Sequence, residues 1–540
     1  MSAEGRCLVA QSQIWEAPPA AESEPSMPST AEPSPKPELR FKTINRQQKT
    51  WAAIDVEELV PADHFVRGIW EMLGRVDWSQ FCADYKAVEG QAGCSPYEPR
   101  LLAALWILAY SEGISSSREV ERRCEYHPAY RWLTGMEVVG YHTLSSFRVV
   151  HKEELDELFA QVLGLLQKEG LIRLERVMQD GTKVQAASSS ASFHREATLQ
   201  QHWEQAWQRV QEMGDPRQEP GERSARQQAA QERAARERWE RLSQALEEMP
   251  KVRSENRETE PEECRVSESE AEARKMKHTQ GGGYAPSYNL QVVTDAAQDM
   301  IVAVQVVQAR NDQGQLEAGL DELQRQTGVV PAQAVVDEGY VSRATVLNME
   351  QRGVDLIGGG ELEENKNATR SQQNWEKRGV TAEFYTSAFV YDAERDLYRC
   401  PAGQELTHRG EKHDREGVER HNYRAGVRQC RGCPHQAQCC PVPAGQKVKG
   451  RLVVRTVNGA SVAAYVEKMK SAEAKAIYRE RKRVAEFPNL WLKEKLGLRR
   501  FRVRGLMKAR CEALWACLTY NLQQWVRIRW RPQLAAAPAA

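Results

Sequence analysis

Residues 287–308, SYNLQVVTDAAQDMIVAVQVVQ, place two runs of β-branched and other apolar residues on either side of a short polar segment. Such runs are typical of β-strands, and a short polar segment between them is typical of a hairpin turn. We place the turn at Asp295 to Gln298. Two adjacent strands of a sheet are therefore expected here, and the neighbouring segments decide which kind of sheet they join.

The segments around this hairpin alternate between strand and helix patterns. Before it, LERVMQDGTKVQA (174–186) alternates apolar and polar residues and is expected to end or turn at Asp180-Gly181. After it, a helix, a strand, a helix and a strand follow as DQGQLEAGLDELQRQTG, PAQAVVDEGY, SRATVLNMEQRG and VDLIGG. This order predicts an α/β fold with one mixed sheet over residues 171–360.

The region before the sheet, residues 43–170, spaces its apolar residues as helices do, so we expect an all-α N-terminal domain. Its short helices with scattered arginines are compatible with a helix-turn-helix-type DNA reader. Amphipathic packing would produce the same pattern, and that alternative stays open. We predict a DNA-binding domain with Arg148 as a DNA contact.

A charged, helix-forming segment interrupts the sheet sequence at about residues 195–277. Gly and Pro in GDPRQEPGE divide it, so a helical hairpin is expected. Its charges fit a solvated face, and an arm that contacts DNA or another subunit is the alternative. Residues 1–42 have too few large apolar side chains to offset the entropy cost of ordering, and we expect a disordered tail. Residues 529–540 are expected to be a second one.

Two aspartates follow strand patterns in this sequence. Asp180 follows LERVMQ and Asp337 follows AVV, so both are expected at the carboxyl ends of strands, where open α/β sheets place their chemistry. An Asp-Gly pair alone is more often only a turn. Carboxylates from separate elements are the hard oxygen ligands that Mg²⁺ or Mn²⁺ needs for phosphodiester chemistry. The two aspartates are therefore candidate catalytic metal ligands.

A third carboxylate is expected among the helices of residues 461–528, and Glu486 is the favoured candidate. Lys482 and Arg479 precede it by four and seven residues, so an α-helix would place both cations on the face of the acid. Pro488 should break or kink that helix just after the acid. Glu480 is the alternative third acid.

Five cysteines cluster in residues 361–460, between the second aspartate and the third acid. Thiolates are the preferred ligands of a closed structural zinc site, and four of these cysteines have suitable spacing. His435 and Cys440 are alternative fourth ligands, and uncoordinated or redox-active thiols stay open as well. The proposed zinc ligands are Cys400, Cys430, Cys433 and Cys439.

The net charge is zero, because 75 Lys and Arg balance 75 Asp and Glu, so only the distribution of charge is informative. From Arg479 to Arg510, twelve Lys or Arg stand against three acids. A basic run is often only a solvated face, but this one adjoins the proposed third acid, so we predict contacts to DNA phosphates. The candidate DNA contacts here are Arg479, Lys482, Lys493, Arg499, Arg500, Arg502 and Arg504.

Several of these motifs together resemble the DDE transposases of bacterial insertion sequences, over most of residues 43–528. The motifs are HTLSSFRVVH, QDGTKVQAAS, GGGYAPSYNLQVVTD, VVDEGY, the cysteine cluster and RKRVAEFPNLWLKEKLGLRRFRVRGLMKARCEALWACLTYNLQQW. The resemblance implies a ribonuclease-H-like catalytic domain with a helical insertion, behind an all-α transposase domain. It also implies that the catalytic acids are Asp180, Asp337 and Glu486.

Many such transposases carry the third acid in a Tyr-x-x-Arg-x-x-x-Glu-x-x-x-x-x-x-Lys signature. Glu486 and Lys493 fit it, whereas Lys482 stands in place of the Arg and Tyr478 is one residue out of register. The Tyr and Arg of the signature handle a flipped base at a hairpinned DNA end, so this departure bears on that step.

The resemblance implies metal-dependent cleavage at the terminal inverted repeats of a mobile element, then strand transfer into target DNA by a homo-oligomer. An inactive descendant that only binds DNA, and a related nuclease without strand transfer, are the alternatives. No apolar run approaches the roughly 18–20 residues that span a bilayer, and no secretory signal is visible. We therefore expect a cytoplasmic, nucleoid-associated protein with no membrane partner.

Overall fold

The protein was analysed as a computed structural model. It describes residues 47–49, 51, 53–83, 85, 95–214, 224–256, 260–278, 283–359, 375–413, 419–442, 447, 449–457 and 459–536. The predicted N-terminal tail, residues 1–42, lies outside the described residues.

The strands group into three sheets. They are β1 (Arg176–Gln185), β2 (Phe193–Arg195), β3 (Arg265–Ser267), β4 (Arg274–Lys277), β5 (Tyr284–Asp295), β6 (Ile301–Val307), β7 (Gln333–Val336), β8 (Asp355–Gly358), β9 (Val390–Asp392), β10 (Leu397–Arg399), β11 (Glu405–His413), β12 (Glu419–Ala425) and β13 (Leu452–Val457).

Helices make up most of the remaining described residues. They are α1 (Phe65–Leu73), α2 (Pro99–Ser111), α3 (Ser117–Tyr126), α4 (Pro128–Thr134), α5 (Tyr141–Val150), α6 (Lys152–Lys168), α7 (Glu196–Gly214), α8 (Ala225–Glu255), α9 (Gln315–Thr327), α10 (Arg343–Gln351), α11 (Val427–Arg431), α12 (Gln436–Cys439), α13 (Ala460–Lys470), α14 (Ala472–Arg481), α15 (Phe487–Glu494), α16 (Leu506–Trp525) and α17 (Arg531–Ala536). Two π-helical turns, Lys482–Glu486 and Val526–Trp530, join α14 to α15 and α16 to α17.

The hairpin predicted from residues 287–308 is confirmed and forms one side of the main sheet. Strands β5 and β6 pair antiparallel, and the backbone N–H of Asp295 donates to the carbonyl of Met300 across the turn. On its other edge β5 pairs antiparallel with β1, which pairs parallel with β7, and β7 pairs parallel with β8. Strand β4 joins the end of β5. The predicted mixed α/β sheet is therefore present.

The main sheet is buried because helices cover it. Helices α9 and α16 pack against β6, and α16 also packs against α2 and α6. Helix α16 is buried over most of its surface. One hydrophobic core thus contains Trp106 of α2, Leu290 of β5 and Trp515 of α16.

Between residues 65 and 168, the described part of the chain contains helices α1 to α6 and no strand, as predicted. They share their core with the main sheet, and residues Ile54–Ala540 cluster as one compact unit. The predicted boundary at residue 170 consequently marks a change of secondary structure and not a gap between two cores. None of the described helices combines the length and the apolar composition needed to cross a membrane.

The helical hairpin predicted within residues 195–277 consists of α7 and α8, which pack on each other through Trp203, Trp207 and Trp239. Helix α8 continues past Pro250 to Glu255, within the predicted segment. The hairpin has its own small core. The cysteine-rich segment contains an antiparallel five-stranded sheet in the order β13-β12-β11-β10-β9.

The prediction of a disordered tail from residue 529 is wrong for residues 529–536. The chain stays helical through Ala536, because the ring of Trp530 is buried and its Nε1 donates to Glu71 Oε2 at 2.6 Å. This contact ties the last described helix to α1. Residues 537–540 lie outside the described part of the chain.

Candidate active site

Strand register brings Asp180 and Asp337 next to each other. Strands β1 and β7 pair in parallel up to Gln179 and Val336, and each aspartate directly follows one residue of that last pair. Strand β1 does not end at Asp180 as predicted, because its pairing with β5 continues to Gln185. Asp180 therefore lies where β7 leaves β1, and Asp337 lies beside it.

The third predicted acid, Glu486, ends the π-helical turn between α14 and α15. Val484 and Ala485 in that turn are buried against Met178 and Val335 of the main sheet. The helix does not break at Pro488, which occupies the first turn of α15. A proline is tolerated there because its missing N–H has no helical partner to lose.

All three predicted acids converge on one guanidinium group, that of Arg481. Its Nη1 is 3.7 Å from Asp180 Oδ1, and its Nη2 is 3.5 Å from Asp337 Oδ1. The same Nη2 donates to Glu486 Oε1 at 2.9 Å. The side chain of Arg481 is only 12% exposed, so this single cation is enclosed by three carboxylates.

The π-helical turn explains why Arg481 faces the acids instead of Lys482 or Arg479. A π turn places residues five apart on one face, and Arg481 lies five before Glu486. The expectation that the two other cations share the face of the acid is therefore wrong, and both are exposed.

The same turn corrects the interpretation of the Tyr-x-x-Arg signature. Tyr478 and Arg481 have the Tyr-x-x-Arg spacing, and one extra residue separates them from Glu486. The π turn accommodates that residue. Tyr478 thereby donates its hydroxyl hydrogen to Asp337 Oδ1 at 3.1 Å. This spacing was the signal in the sequence that could have identified Arg481.

Two side chains on α15 complete the surroundings of Asp180. The amide Nδ2 of the buried Asn489 donates to Asp180 Oδ2 at 3.0 Å. Sequence reasoning missed this residue, although its position three after Glu486 puts it on the same helical face. The ammonium of Lys493 has a lowered pKa because of burial and the charge of Arg499, against an opposing effect of Asp180.

The electrostatics of the site reflect its low solvent exposure. Burial raises the pKa of Asp180 to about 6, against the opposing effects of the Arg481 charge and the Asn489 hydrogen bond. Burial would lower the pKa of Arg481, but the carboxylates of Asp337 and Asp180 keep it above its usual value. Excess negative charge in a partly dry site favours occupation by cations.

The basic stretch after α15 is held as a loop by buried acids. The backbone N–H groups of Arg502 and Val503 donate to Glu512 Oε2 at 2.8 and 3.3 Å. The N–H of Gly505 donates to Glu270 Oε1 at 3.1 Å. In this loop the side chains of Arg502 and Arg504 are exposed.

The predicted DNA contacts in this loop occupy different environments. Arg500 donates to the backbone carbonyls of Ala186 and Ala187, so its guanidinium holds the chain after β1. Arg499 pairs with Glu494. A groove of about 500 Å³ is lined mainly by residues of this loop. The lining residues are Val149, Ala187, Arg500, Phe501, Arg502, Val503, Arg504 and Lys508.

The prediction that Arg148 contacts DNA is wrong. Its side chain is buried, with the guanidinium 4.6 Å from the ring centroid of Trp106. Its Nη1 donates to the carbonyl of Ser115 at 2.6 Å. The charge of Arg148 also lowers the otherwise raised pKa of the buried Glu512. This arginine therefore belongs to the core that supports the basic loop.

The cysteine cluster surrounds a small cavity of about 20 Å³, which is room for one water-sized species. Backbone N–H groups donate to two of its sulfurs, from Gln404 to Cys400 Sγ at 3.2 Å and from Arg451 to Cys430 Sγ at 3.3 Å. The described cysteines do not bring three sulfurs within 4.8 Å of one another. The cysteines that line the cavity are Cys400, Cys430, Cys433, Cys439 and Cys440.

Two groups of His and Glu side chains in the described part of the chain have their possible metal-ligand atoms within 4.8 Å of one another. One lies at the base of the helical hairpin, and the other lies on β11 and β12. The first consists of His194, His202 and Glu268, and the second of His408, Glu411 and His421. In the first group His202 Nδ1 and Glu268 Oε2 are hydrogen-bonded at 2.8 Å.

Two segments of the chain match models of transposase families. The model described as "Transposase domain (DUF772)" matches residues 54–149, and that described as "Transposase DDE domain" matches residues 399–526. Residues 54–149 and 399–526 are thus similar to two domains found in transposases. The second match includes Glu486 and the basic loop, whereas Asp180 and Asp337 lie outside both.

A search of curated proteins finds no match to the chain. Among solved structures, the "Crystal structure of a pre-cleavage Mos1 transpososome" is 11% identical and covers 55% of this chain and 71% of its own. Its TM-score is 0.14, so the superposition supports no statement about this fold.

Proposed function

We propose that the protein is a DNA transposase that cleaves its element at the terminal inverted repeats and transfers the freed ends to target DNA. The observation that carries this proposal is the convergence of Asp180, Asp337 and Glu486 on the guanidinium of Arg481. Three carboxylates from three separate elements lie around this one cation, and carboxylate oxygens are the ligands that Mg²⁺ prefers.

The residues at this site fit Mg²⁺ or Mn²⁺. All three are hard oxygen donors, and the negative charge exceeds that of the one enclosed cation. Bound metal ions would supply an activated water and stabilise the leaving oxygen in phosphodiester cleavage. Asn489 fixes the orientation of the Asp180 carboxylate, and Tyr478 does the same for Asp337. Arg481 provides a positive charge beside the position of a DNA phosphate.

A ribonuclease-H-like fold for residues 171–360 is supported by the sheet. Its strand order is β6-β5-β1-β7-β8, with the hairpin strand β5 antiparallel to β1 and the last three strands parallel. In this arrangement the first acid lies on the central strand and the second follows its parallel neighbour. The helix with the third acid packs across both, which is consistent with the proposed chemistry.

Contact with DNA is proposed for the basic loop and its groove. Arg502 and Arg504 are exposed, and the buried acid Glu512 fixes their backbone without neutralising their guanidinium groups. Such a surface binds the phosphate backbone whatever the base sequence. Lys493 and Lys508 extend the positive charge from the acids to the groove. A homo-oligomer that holds two element ends is part of the proposal.

The test uses the full-length protein and a labelled DNA fragment that carries the inverted repeats flanking its gene. Asp180→Asn and Asp337→Asn are expected to abolish Mg²⁺-dependent cleavage while the protein still binds the fragment. Glu486→Gln should do the same. Glu480→Gln is the matched control, because Glu480 pairs with Arg176 at 3.4 Å and does not face the other acids.

Strand transfer needs a second measurement. Adding unlabelled target DNA to cleaved ends should give joined products that grow with time. Cleavage without joined products would indicate a nuclease, and binding without cleavage would indicate an inactive descendant. Either result would overturn the proposed function.

A further inference from the structure

A fourth carboxylate, that of Asp312, lies beside Gly181 and Gly339, which closely follow the first two acids in the sequence. It belongs to the loop between β6 and α9. A Cβ atom added at Gly181 would lie 2.3 Å from Asp312 Oδ1, and one added at Gly339 would lie 3.9 Å from Asp312 Oδ2. Gly181 directly follows Asp180, so the absence of a side chain there makes room for the Asp312 carboxylate.

One oxygen of this carboxylate is anchored and the other is free. Asp312 Oδ1 accepts hydrogen bonds from Asn289 Nδ2 at 2.8 Å and from Gln291 Nε2 at 2.7 Å. Both amides are buried on β5. Among the described residues, no hydrogen-bond donor contacts Asp312 Oδ2. A metal-binding carboxylate commonly has this arrangement, with one oxygen oriented by protein donors.

The amide network fixes which atom of Gln291 faces Asp312. The carbonyl Oε1 of Gln291 accepts from Gln179 Nε2 at 3.0 Å and from the hydroxyl of Tyr340. Its Nε2 must therefore point to Asp312, where it can only donate. The hydroxyl of Tyr340 also faces the acids, since burial and the charges of Asp312 and Asp180 raise the pKa of Tyr340. The amide of Gln291 thus orients the Asp312 carboxylate.

A helix-capping role does not explain this position. Asp312 lies two residues before the N-cap of α9, which is Gly314, and no N–H group of α9 donates to its carboxylate within the described chain. The donors come from β5 on the opposite side of the loop. The carboxylate therefore faces β5 and does not cap α9.

We propose that Asp312 is a fourth carboxylate ligand of the divalent-metal site and supplies its Oδ2 from the loop before α9. This inference rests on the proposed function, because it assumes that the three predicted acids hold metal. A fourth carboxylate increases the excess of negative charge over the single positive charge of Arg481. A second metal ion would compensate this excess.

The test measures Mn²⁺ binding to the full-length protein without DNA, by electron paramagnetic resonance of the free ion. Asp312→Asn keeps an acceptor oxygen for Asn289 and Gln291 but loses the charge, so the fold should be retained. We expect at least about tenfold weaker binding of one Mn²⁺ ion. Asp312→Glu, which restores a carboxylate, should recover part of the loss.

The matched control is Asp321→Asn. Asp321 is an exposed carboxylate on α9 that pairs with Arg352 at 2.6 Å, so Mn²⁺ binding should be unchanged. The thermal midpoint of each variant reports whether it is folded. Wild-type affinity in Asp312→Asn, or no recovery with Asp312→Glu, would overturn the assignment.

Asp180→Asn separates the two proposals. If that variant loses Mn²⁺ and Asp312→Asn does not, only the role of Asp312 fails. If neither Asp180→Asn nor Asp312→Asn changes Mn²⁺ binding, or the wild-type protein binds no Mn²⁺, the proposed metal site itself fails and the inference fails with it.

Discussion

Arg481 and Glu486 form an ion pair at 2.9 Å across a π-helical turn, and this pair closes the ring of acids around one cation. The turn contains one residue more than an α-helical turn, and its buried Val484 and Ala485 fix it on the main sheet. The cation is therefore positioned by the fold, and its effect on the metal-free protein can be measured.

Replacing Arg481 with alanine should destabilise the metal-free protein. Without the guanidinium, Asp180, Asp337 and Glu486 would repel one another in a partly buried site, at a cost of about 1–3 kcal/mol. Added Mg²⁺ should restore much of the loss, because it compensates the same charges. Thermal unfolding in EDTA and in Mg²⁺ provides the measurement. Arg479→Ala, an exposed change on the same helix, is the control, and equal midpoints for both variants in EDTA would contradict the prediction.

The sequence predicted the hairpin, the mixed sheet and the helical hairpin, because each has a strong local pattern of apolar residues. The three acids were predicted from their places after strands and within a family signature. Their convergence on Arg481 was not, since an α-helical spacing was assumed where the chain makes a π turn. That turn depends on burial of Val484 and Ala485 against the sheet, which is a tertiary effect.

Other residues escaped prediction for the same reason. Asp312 has no strand or motif before it, and only strand register brings Asn289 and Gln291 to its carboxylate. Arg148 has the sequence pattern of a DNA contact, but the packing of α5 against α2 and α16 buries it. Local sequence gives the type of a residue, whereas packing decides whether its charge reaches solvent.

Gly181→Ala should destabilise the protein and impair metal binding. The added methyl group would lie 2.3 Å from Asp312 Oδ1 and 2.4 Å from Gln291 Nε2, so both side chains must move, at about 1–3 kcal/mol. The matched control is Gly164→Ala in the interior of α6, where no atom lies within 4 Å of the new Cβ. There alanine should stabilise by about 0.5–1 kcal/mol. Urea unfolding measures both, and a neutral Gly181→Ala would be inconsistent with the crowded site.

The stabilisation by Mg²⁺ should depend on pH. In the metal-free protein the pKa of Asp180 is raised to about 6, so between its usual value and pH 6 the folded state holds a proton that the unfolded state has lost. This proton favours the fold at low pH, and the contribution disappears as pH rises through about 6. Mg²⁺ must displace the proton, so the gain in thermal midpoint should be small at low pH and reach a plateau above about 7.

The comparison for this pH dependence is Asp180→Asn, which has no proton to lose at this position. The pH dependence of its Mg²⁺-induced gain should be much weaker across the same range. A wild-type gain that stays constant through this range would contradict the role of Asp180 as a ligand that titrates.

The cysteine cluster is expected to hold one zinc ion per chain. Its cavity fits one small species, and backbone N–H groups point at the sulfurs of Cys400 and Cys430, as they do around metal-bound thiolates. Binding requires the sulfurs to move closer together than in the metal-free arrangement. Elemental analysis of protein purified without chelator should find zinc in wild type and in Cys82→Ser, an exposed control, but not in Cys430→Ser. Absence of zinc from the wild type would favour free thiols.

Arg148→Ala and Arg502→Ala should separate stability from DNA binding. Arg148 donates to the carbonyl of Ser115 and faces the buried Glu512, so its loss should cost about 1–3 kcal/mol of unfolding free energy.

Arg502 is exposed and its backbone alone contacts Glu512, so Arg502→Ala should change stability by less than about 0.5 kcal/mol. The second variant should instead weaken binding to DNA of any sequence and flatten its salt dependence, because one phosphate contact is lost. Fluorescence anisotropy over a salt series, together with thermal unfolding, tests both. If Arg148→Ala left the thermal midpoint unchanged and weakened DNA binding, the buried position of Arg148 would be refuted.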